Sequence, residues 1–255
     1  MKFPSLFILI VSLLSSDAFA EENRGNARER IEPKGLLYGF GLGVIQEVYK
    51  GYDYKVIPLP IIGYRGDNFR ILGPFASYDA FEFHDIKLNL QAAPRFQGFD
   101  DSDSYIFENM APRKFSMDAG LGLNYERHNW KVSLSGMYDI LRRSNGFEGK
   151  VNISHVLRKG PIFFEPKISL NYLNAKNVNY YYGVKADEVN AFTYEYQGEA
   201  TLNTSLGLSI STPIFFGGFT QLAFDYTWYG SAISKSPLVE TDRNISTRLF
   251  FSKFF

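Results

Sequence analysis

The sequence predicts an all-β fold, a transmembrane antiparallel up-and-down β-barrel of about 10–12 strands. Three observations carry that expectation. At the C-terminus Ile245, Thr247, Leu249, Phe251, Lys253 and Phe255 alternate with Asn244, Ser246, Arg248, Phe250, Ser252 and Phe254. A period of two over roughly ten residues is the length of one membrane-crossing strand. The same alternation recurs along most of the chain, in segments about ten residues long, where globular strands usually run about five or six. The N-terminus bears an export signal: Lys2, an apolar run from Phe3 to Leu14, then Ala18-Phe19-Ala20.

A basic start, a short apolar run and an A-x-A site describe a secretory signal peptide rather than a spanning helix. Cleavage is expected after Ala20, giving a signal peptide at 1–20, a polar periplasmic tail at 21–34 and a barrel at 35–255. There are no cysteines, so no disulfide enters the argument. Lys+Arg and Asp+Glu both total 27. The signal peptide holds one of each sign, Lys2 and Asp17, so its removal leaves the chain neutral. A neutral balance offers no footprint for nucleic acid. Aromatics reach 17%, with 24 Phe and 17 Tyr, as girdles at two membrane interfaces require. The mean hydropathy of −0.17 suits a barrel, because only alternate residues of a strand face lipid.

The elements follow in order. Leu36–Gln46 sets Tyr38, Phe40, Leu42 and Val44 against Gly39, Gly41 and Gly43. Tyr54–Tyr64 is apolar on both faces and holds Pro58 and Pro60, which suits an edge or bulge. Phe69–Tyr78 reads as one strand, followed by His84–Phe96, Phe115–Glu126, Trp130–Leu141, Phe147–Leu157, Ile162–Tyr172, Thr201–Ser211, Phe219–Trp228 and the closing strand. Tight turns fall at Arg127–Asn129, Arg158–Gly160 and Gly217-Gly218, and long loops near 97–114, 175–199 and 229–244. Barrels of the outer membrane have short periplasmic turns and long extracellular loops, and these fall on the expected sides. The segments number eleven, whereas such barrels have even counts, so ten and twelve both stay open, with the ambiguity inside 36–84.

A soluble β-sandwich would alternate too. The export signal, the strand length and the charges on the polar face favour the barrel. Lys87, Arg95, Asp118, Glu126, Lys131, Asp139, Glu165, Lys167, Asp225 and Arg248 would point into the lumen and pair there.

An ordered set of short motifs adds a resemblance. Tyr49-x-Gly51 leads to Pro58-Leu59-Pro60 and Tyr64; Asp139 precedes Asn145-Gly146; Tyr180, Tyr181, Tyr182, Gly183 and Val184 precede Glu188; and Ser236-Pro237-Leu238-Val239 precedes the last strand. The set resembles the MipA/OmpV family of Gram-negative outer-membrane proteins. That resemblance implies an outer-membrane barrel, and a scaffold role linking a murein transglycosylase to a peptidoglycan synthase. Small-solute channels and surface adhesins or antigens are the alternatives. The closing strand likewise resembles the signal read by the barrel assembly machinery. Leu249 and Phe251 would face lipid, and Phe255 would be the terminal aromatic. Lys253 departs from that signal, where an aromatic is commoner.

No enzyme is expected. His84 and His128 belong to or beside turns. Ser154 and His155 are neighbours on a strand and point to opposite faces, so they form no nucleophile–base pair. Asp100, Asp101 and Asp103 read as a solvated charge run rather than a calcium loop. No cofactor or metal is implied. Tyr180–Tyr182 fit two readings: contact with a sugar or partner, or a loop folded back over the barrel mouth. A lumen crowded with charged side chains predicts low or no conductance.

Overall fold

In the computed structural model, which describes residues 34–255, the alternation closes into a cylinder. The expected signal peptide and residues 21–33 of the tail lie outside the described residues. The strands are β1 (Gly35–Gln46), β2 (Tyr54–Arg65), β3 (Phe69–Leu72), β4 (Phe75–Phe83), β5 (Ile86–Arg95), β6 (Ser116–Arg127) and β7 (Trp130–Asp139). They continue with β8 (Phe147–His155), β9 (Leu157–Lys159), β10 (Ile162–Leu173), β11 (Thr201–Thr212), β12 (Phe219–Trp228) and β13 (Arg243–Phe254). Neighbours pair antiparallel, and β13 returns to β1 with Leu37 opposite Phe254 and Ile45 opposite Ser246. β8 and β9 both pair with β10 and form one wall strand broken at Val156. The wall therefore has twelve strands.

The twelfth strand corrects the reading of Phe69–Tyr78 as a single strand. The segment is a hairpin, with β3 and β4 paired from Leu72–Phe75 to Phe69–Tyr78. Gly73 turns at φ +57°, which a side chain would resist, and Pro74 offers no N–H to continue the ladder. A Gly-Pro pair inside an apolar run marks a turn.

The Gly73-Pro74 tip points toward the extracellular side, and the periplasmic turns themselves are short. His128 and Asn129 adopt φ of 51° and 64°, the twist that joins antiparallel strands in two residues. The outer wall is apolar: Leu36, Phe40, Leu121, Leu134 and Ile168 are all exposed there. The inner wall carries the expected charges in pairs. Arg95 bridges Asp118 and Glu148. Lys131 meets Glu165 at 3.0 Å, and Asp225 takes both Lys167, at 2.8 Å, and Arg248. Ser154 points inward and donates to Glu165 at 2.9 Å, while the ring of His155 lies 4.7 Å from that of Trp130.

Beyond the few apolar side chains inside the wall, such as Leu37 and Ile61, a buried apolar cluster lies above the barrel. Val48, Tyr49, Phe99, Ile106, Phe107, Met110, Val178, Tyr181, Tyr182, Val184, Ile233, Leu238 and Val239 form one buried cluster built from the extracellular loops.

Candidate functional site

That cluster is a cap across the extracellular mouth, and helix α1 (Ala175–Tyr182) is its centre. Asn174 starts the helix by accepting the N–H of Asn177 at 3.1 Å, the usual role of an Asn N-cap. Val178, Tyr181 and Tyr182 fall at helical spacing and form the buried face. At Gly183 the backbone has φ −78°, so no left-handed turn is required. A Cβ there would run into the Asn179 carbonyl, and close approach is the reason for glycine.

The other loops fasten to this helix and the segment after it through polar contacts, two of them with the helix backbone. The Tyr49 hydroxyl donates to the Tyr181 carbonyl at 3.1 Å. The Ser236 hydroxyl donates to the Tyr182 carbonyl at 2.6 Å, beside the short helix α2 (Ser231–Ser234). Gln97 donates to the Tyr182 hydroxyl at 3.2 Å. Val184 exchanges backbone bonds of 2.9 Å with Tyr196, and Pro237, Leu238 and Val239 are buried. The tyrosines, Gly183, Val184, Glu188, Ser236 and Pro237 thus come together in one structure, with Tyr49 opposite them. Asp139 lies apart, where it accepts backbone N–H groups of Leu141, Ser144 and Asn145 and closes the β7–β8 loop.

Arg113 is the residue that sequence reasoning missed. Its guanidinium makes a two-pronged pair with Glu188, at 2.8 and 2.6 Å, and donates to the carbonyls of Tyr180 and Ala111 at 2.6 Å each. Its face lies 5.6 Å from the Phe99 ring. Burial pushes the Glu188 carboxyl up, but the Arg113 bonds and the N–H groups of Lys185 and Ala111 outweigh it and hold the group below the usual carboxylate range. Only the apolar content of the acidic 97–114 loop, Phe99, Ile106, Phe107 and Met110, could have announced this packing.

Glu47, just past β1, has the opposite sign. Burial pushes its carboxyl up to about 7, opposed by Lys55 and reinforced by Asp103. A folded value above the ordinary 4.5 means that the stability this group contributes is full below about 4.5 and is lost as pH rises through about 7. Glu188 stays ionised through that window, since its folded value is lowered. The cap loops should therefore be cut by protease faster at about pH 8 than at about pH 5.5, after correction for protease activity. Glu47→Gln should flatten the difference; an unchanged profile in that variant would clear Glu47 of the effect.

The closing strand presents the remaining predicted residues. Leu249 and Phe251 share the outer face with Leu42 and Phe40, their partners on β1. The Phe255 ring lies 4.8 Å from Tyr38 and is otherwise exposed.

A closed, apolar-walled antiparallel cylinder with a charged lumen and long loops at one end defines a β-barrel of the outer membrane. The chain matches the family model described as MltA-interacting protein MipA over residues 38–255, and it belongs to that family. It is 29% identical to the MltA-interacting protein of Escherichia coli (strain K12) over 208 residues, which is 79% of this chain and 83% of that one. It is 26% identical to the outer membrane protein OmpV of Vibrio cholerae over 197 residues, which is 76% of this chain and 77% of that one. Omp26La of Vibrio anguillarum is similar to the same extent, 26% over 197 residues, 76% of this chain and 77% of that one.

Proposed function

We infer that this barrel is a non-catalytic scaffold of the outer membrane that engages a peptidoglycan-remodelling enzyme, in the first place a murein transglycosylase. The observation that carries the reading is the family match across nearly the whole barrel, with a relative named for its interaction with MltA. The cap supports it. Its tyrosines and its Arg113–Glu188 pair are engaged with one another, which favours the folded-over-mouth reading of the Tyr180–Tyr182 segment over sugar contact. The periplasmic turns are left as the surface that faces the murein layer.

Crosslinking of whole envelopes at native expression, followed by affinity capture of the chain, should recover a murein transglycosylase, a peptidoglycan synthase or both. Capture that yields neither, while recovering the barrel itself in good amount, would sink the scaffold reading and return attention to the adhesin alternative.

A further inference from the structure

The barrel wall is incomplete in its extracellular half. β3 has only four residues and pairs with β2 at Gly63, Tyr64 and Arg65 alone. Its hairpin ends at Gly73, whose N–H reaches the Ile62 carbonyl at 3.2 Å. Above that level β2 runs on from Ile62 back to Tyr54 with β1 on one side and, among the described residues, no strand on the other. β4 likewise stops pairing with β5 at Ala92, leaving Ala93, Pro94 and Arg95 bound only to β6. At the hairpin, β2 and β5 stand three strand spacings apart, roughly 14 Å. The 97–104 segment crosses above, where Lys55 donates to the Gly98 carbonyl at 2.9 Å.

The sequence builds this gap. The Ile62 carbonyl faces the β3 side, so by alternation the nitrogens of Pro58 and Pro60 face that side too. The Glu126 N–H to Asp85 bond fixes the parity of β5, and Pro94 also turns its nitrogen toward the gap. Pro74 lies at the hairpin tip. Prolines on both jambs leave few donors for another strand, so the edge is blunted against pairing with a second chain.

Behind the gap the inner wall changes character. Ile57, Leu59 and Ile61 of β2 point inward, with Leu72 and Phe75 of the hairpin on the same inner face. That explains why β2 is apolar on both faces. β8 lies six places round the twelve-stranded wall from β2, diametrically opposite, and presents Lys150 to the lumen. Among the described residues Lys150 has no ion-pair partner. Its charged neighbours are Glu148, Lys167, Arg248 and Asp225, and these are engaged with Arg95 or with one another.

An apolar inner wall beside a gap in the strand ladder, with a lysine that has no ion-pair partner among the described residues on the opposite side of the barrel, matches a single-chain anionic amphiphile. We propose that the gap between β2 and β5 is a lateral portal through which a fatty acid enters from the outer leaflet. Its tail lies against Ile57, Leu59 and Phe75, and its carboxylate is directed toward Lys150. The capped mouth leaves this side entrance as the route from the membrane.

The chain has no cysteine, so Leu59→Cys labelled with bimane gives a single lumenal reporter in the full barrel reconstituted in nanodiscs. Dibrominated stearate should quench it saturably, and dibrominated phosphatidylcholine should quench it far less. Lys150→Gln should weaken the stearate response about tenfold, the loss of one charge-assisted hydrogen bond. Heat-modifiable migration checks each variant's fold, and Leu72→Cys replaces the reporter if the first label disturbs the barrel. Absence of quenching at a folded reporter, or equal quenching by the phospholipid, overturns the portal for fatty acids. An unchanged affinity in Lys150→Gln overturns the placement of the carboxylate.

Discussion

Glu188→Ala should destabilise the cap by about 3–5 kcal/mol, because it leaves the Arg113 charge buried without its partner. Both side chains of the pair are only 4% exposed, so water cannot take the carboxylate's place without opening the structure. The substitution also strips acceptors from the N–H groups of Lys185 and Ala111. Glu188→Gln keeps one acceptor oxygen, enough for one of these two N–H groups, and should cost less than alanine. Replacing both partners, with Arg113→Met and Glu188→Leu, removes the buried charge altogether and should do less harm than Glu188→Ala alone. The readouts are protease cutting of the extracellular loops and planar-bilayer current. The parent barrel should be nearly silent, and Glu188→Ala should show openings and rapid cutting. A parent that conducts steadily would mean the cap is no seal. A Glu188→Ala barrel as resistant and silent as the parent would mean that the pair does not hold the cap.

How much of this was legible beforehand depends on the kind of signal involved. Period-two alternation depends on adjacent residues, so strands such as Trp130–Asp139 and Phe219–Trp228 could be delimited from the sequence to within two residues. The charges of the inner face could be named for the same reason, and Lys131–Glu165 and Lys167–Asp225 pair as that face demands. The β3–β4 hairpin was hidden because apolar residues flank Gly73-Pro74 on both sides, and local pattern outweighed turn chemistry. The cap is different in kind. Its contacts join Tyr49 to Tyr181, Arg113 to Glu188 and Tyr182 to Ser236, across separations of 132, 75 and 54 residues. Short motifs marked most of these residues, but no periodicity connects them. Arg113 belonged to no motif and became visible only where the loops meet. The two-faced apolarity of β2 was legible, whereas its cause, a missing neighbour, was not.

The second large effect is expected at the closing strand. Leu249 sits on the outer face between Leu42 of β1 and Leu222 of β12, at the seam where the cylinder closes. Arginine there must either sit in hydrocarbon or tear at the seam, a cost of about 2–4 kcal/mol near the membrane midplane. Arg248, one residue away, points into the lumen. Arg248→Gln should be tolerated, because Asp225 keeps Lys167 at 2.8 Å. Deletion of Phe255 removes the last seam bond, from its N–H to the Leu36 carbonyl at 3.1 Å, and the ring that packs on Tyr38. An open seam in lipid leaves backbone groups unsatisfied at several kcal/mol each, so a frayed end is costly during insertion. We expect the deletion to cut outer-membrane insertion severely, also because the terminal aromatic resembles the element read by the assembly machinery. Heat-modifiable migration of outer-membrane fractions separates the cases. Leu249→Arg and the Phe255 deletion should lose most of the folded band, and Arg248→Gln should keep it. A Phe255 deletion that folds at the parental level would remove the assembly role from this residue. Equal bands for Leu249→Arg and Arg248→Gln would place the lipid boundary away from Leu249.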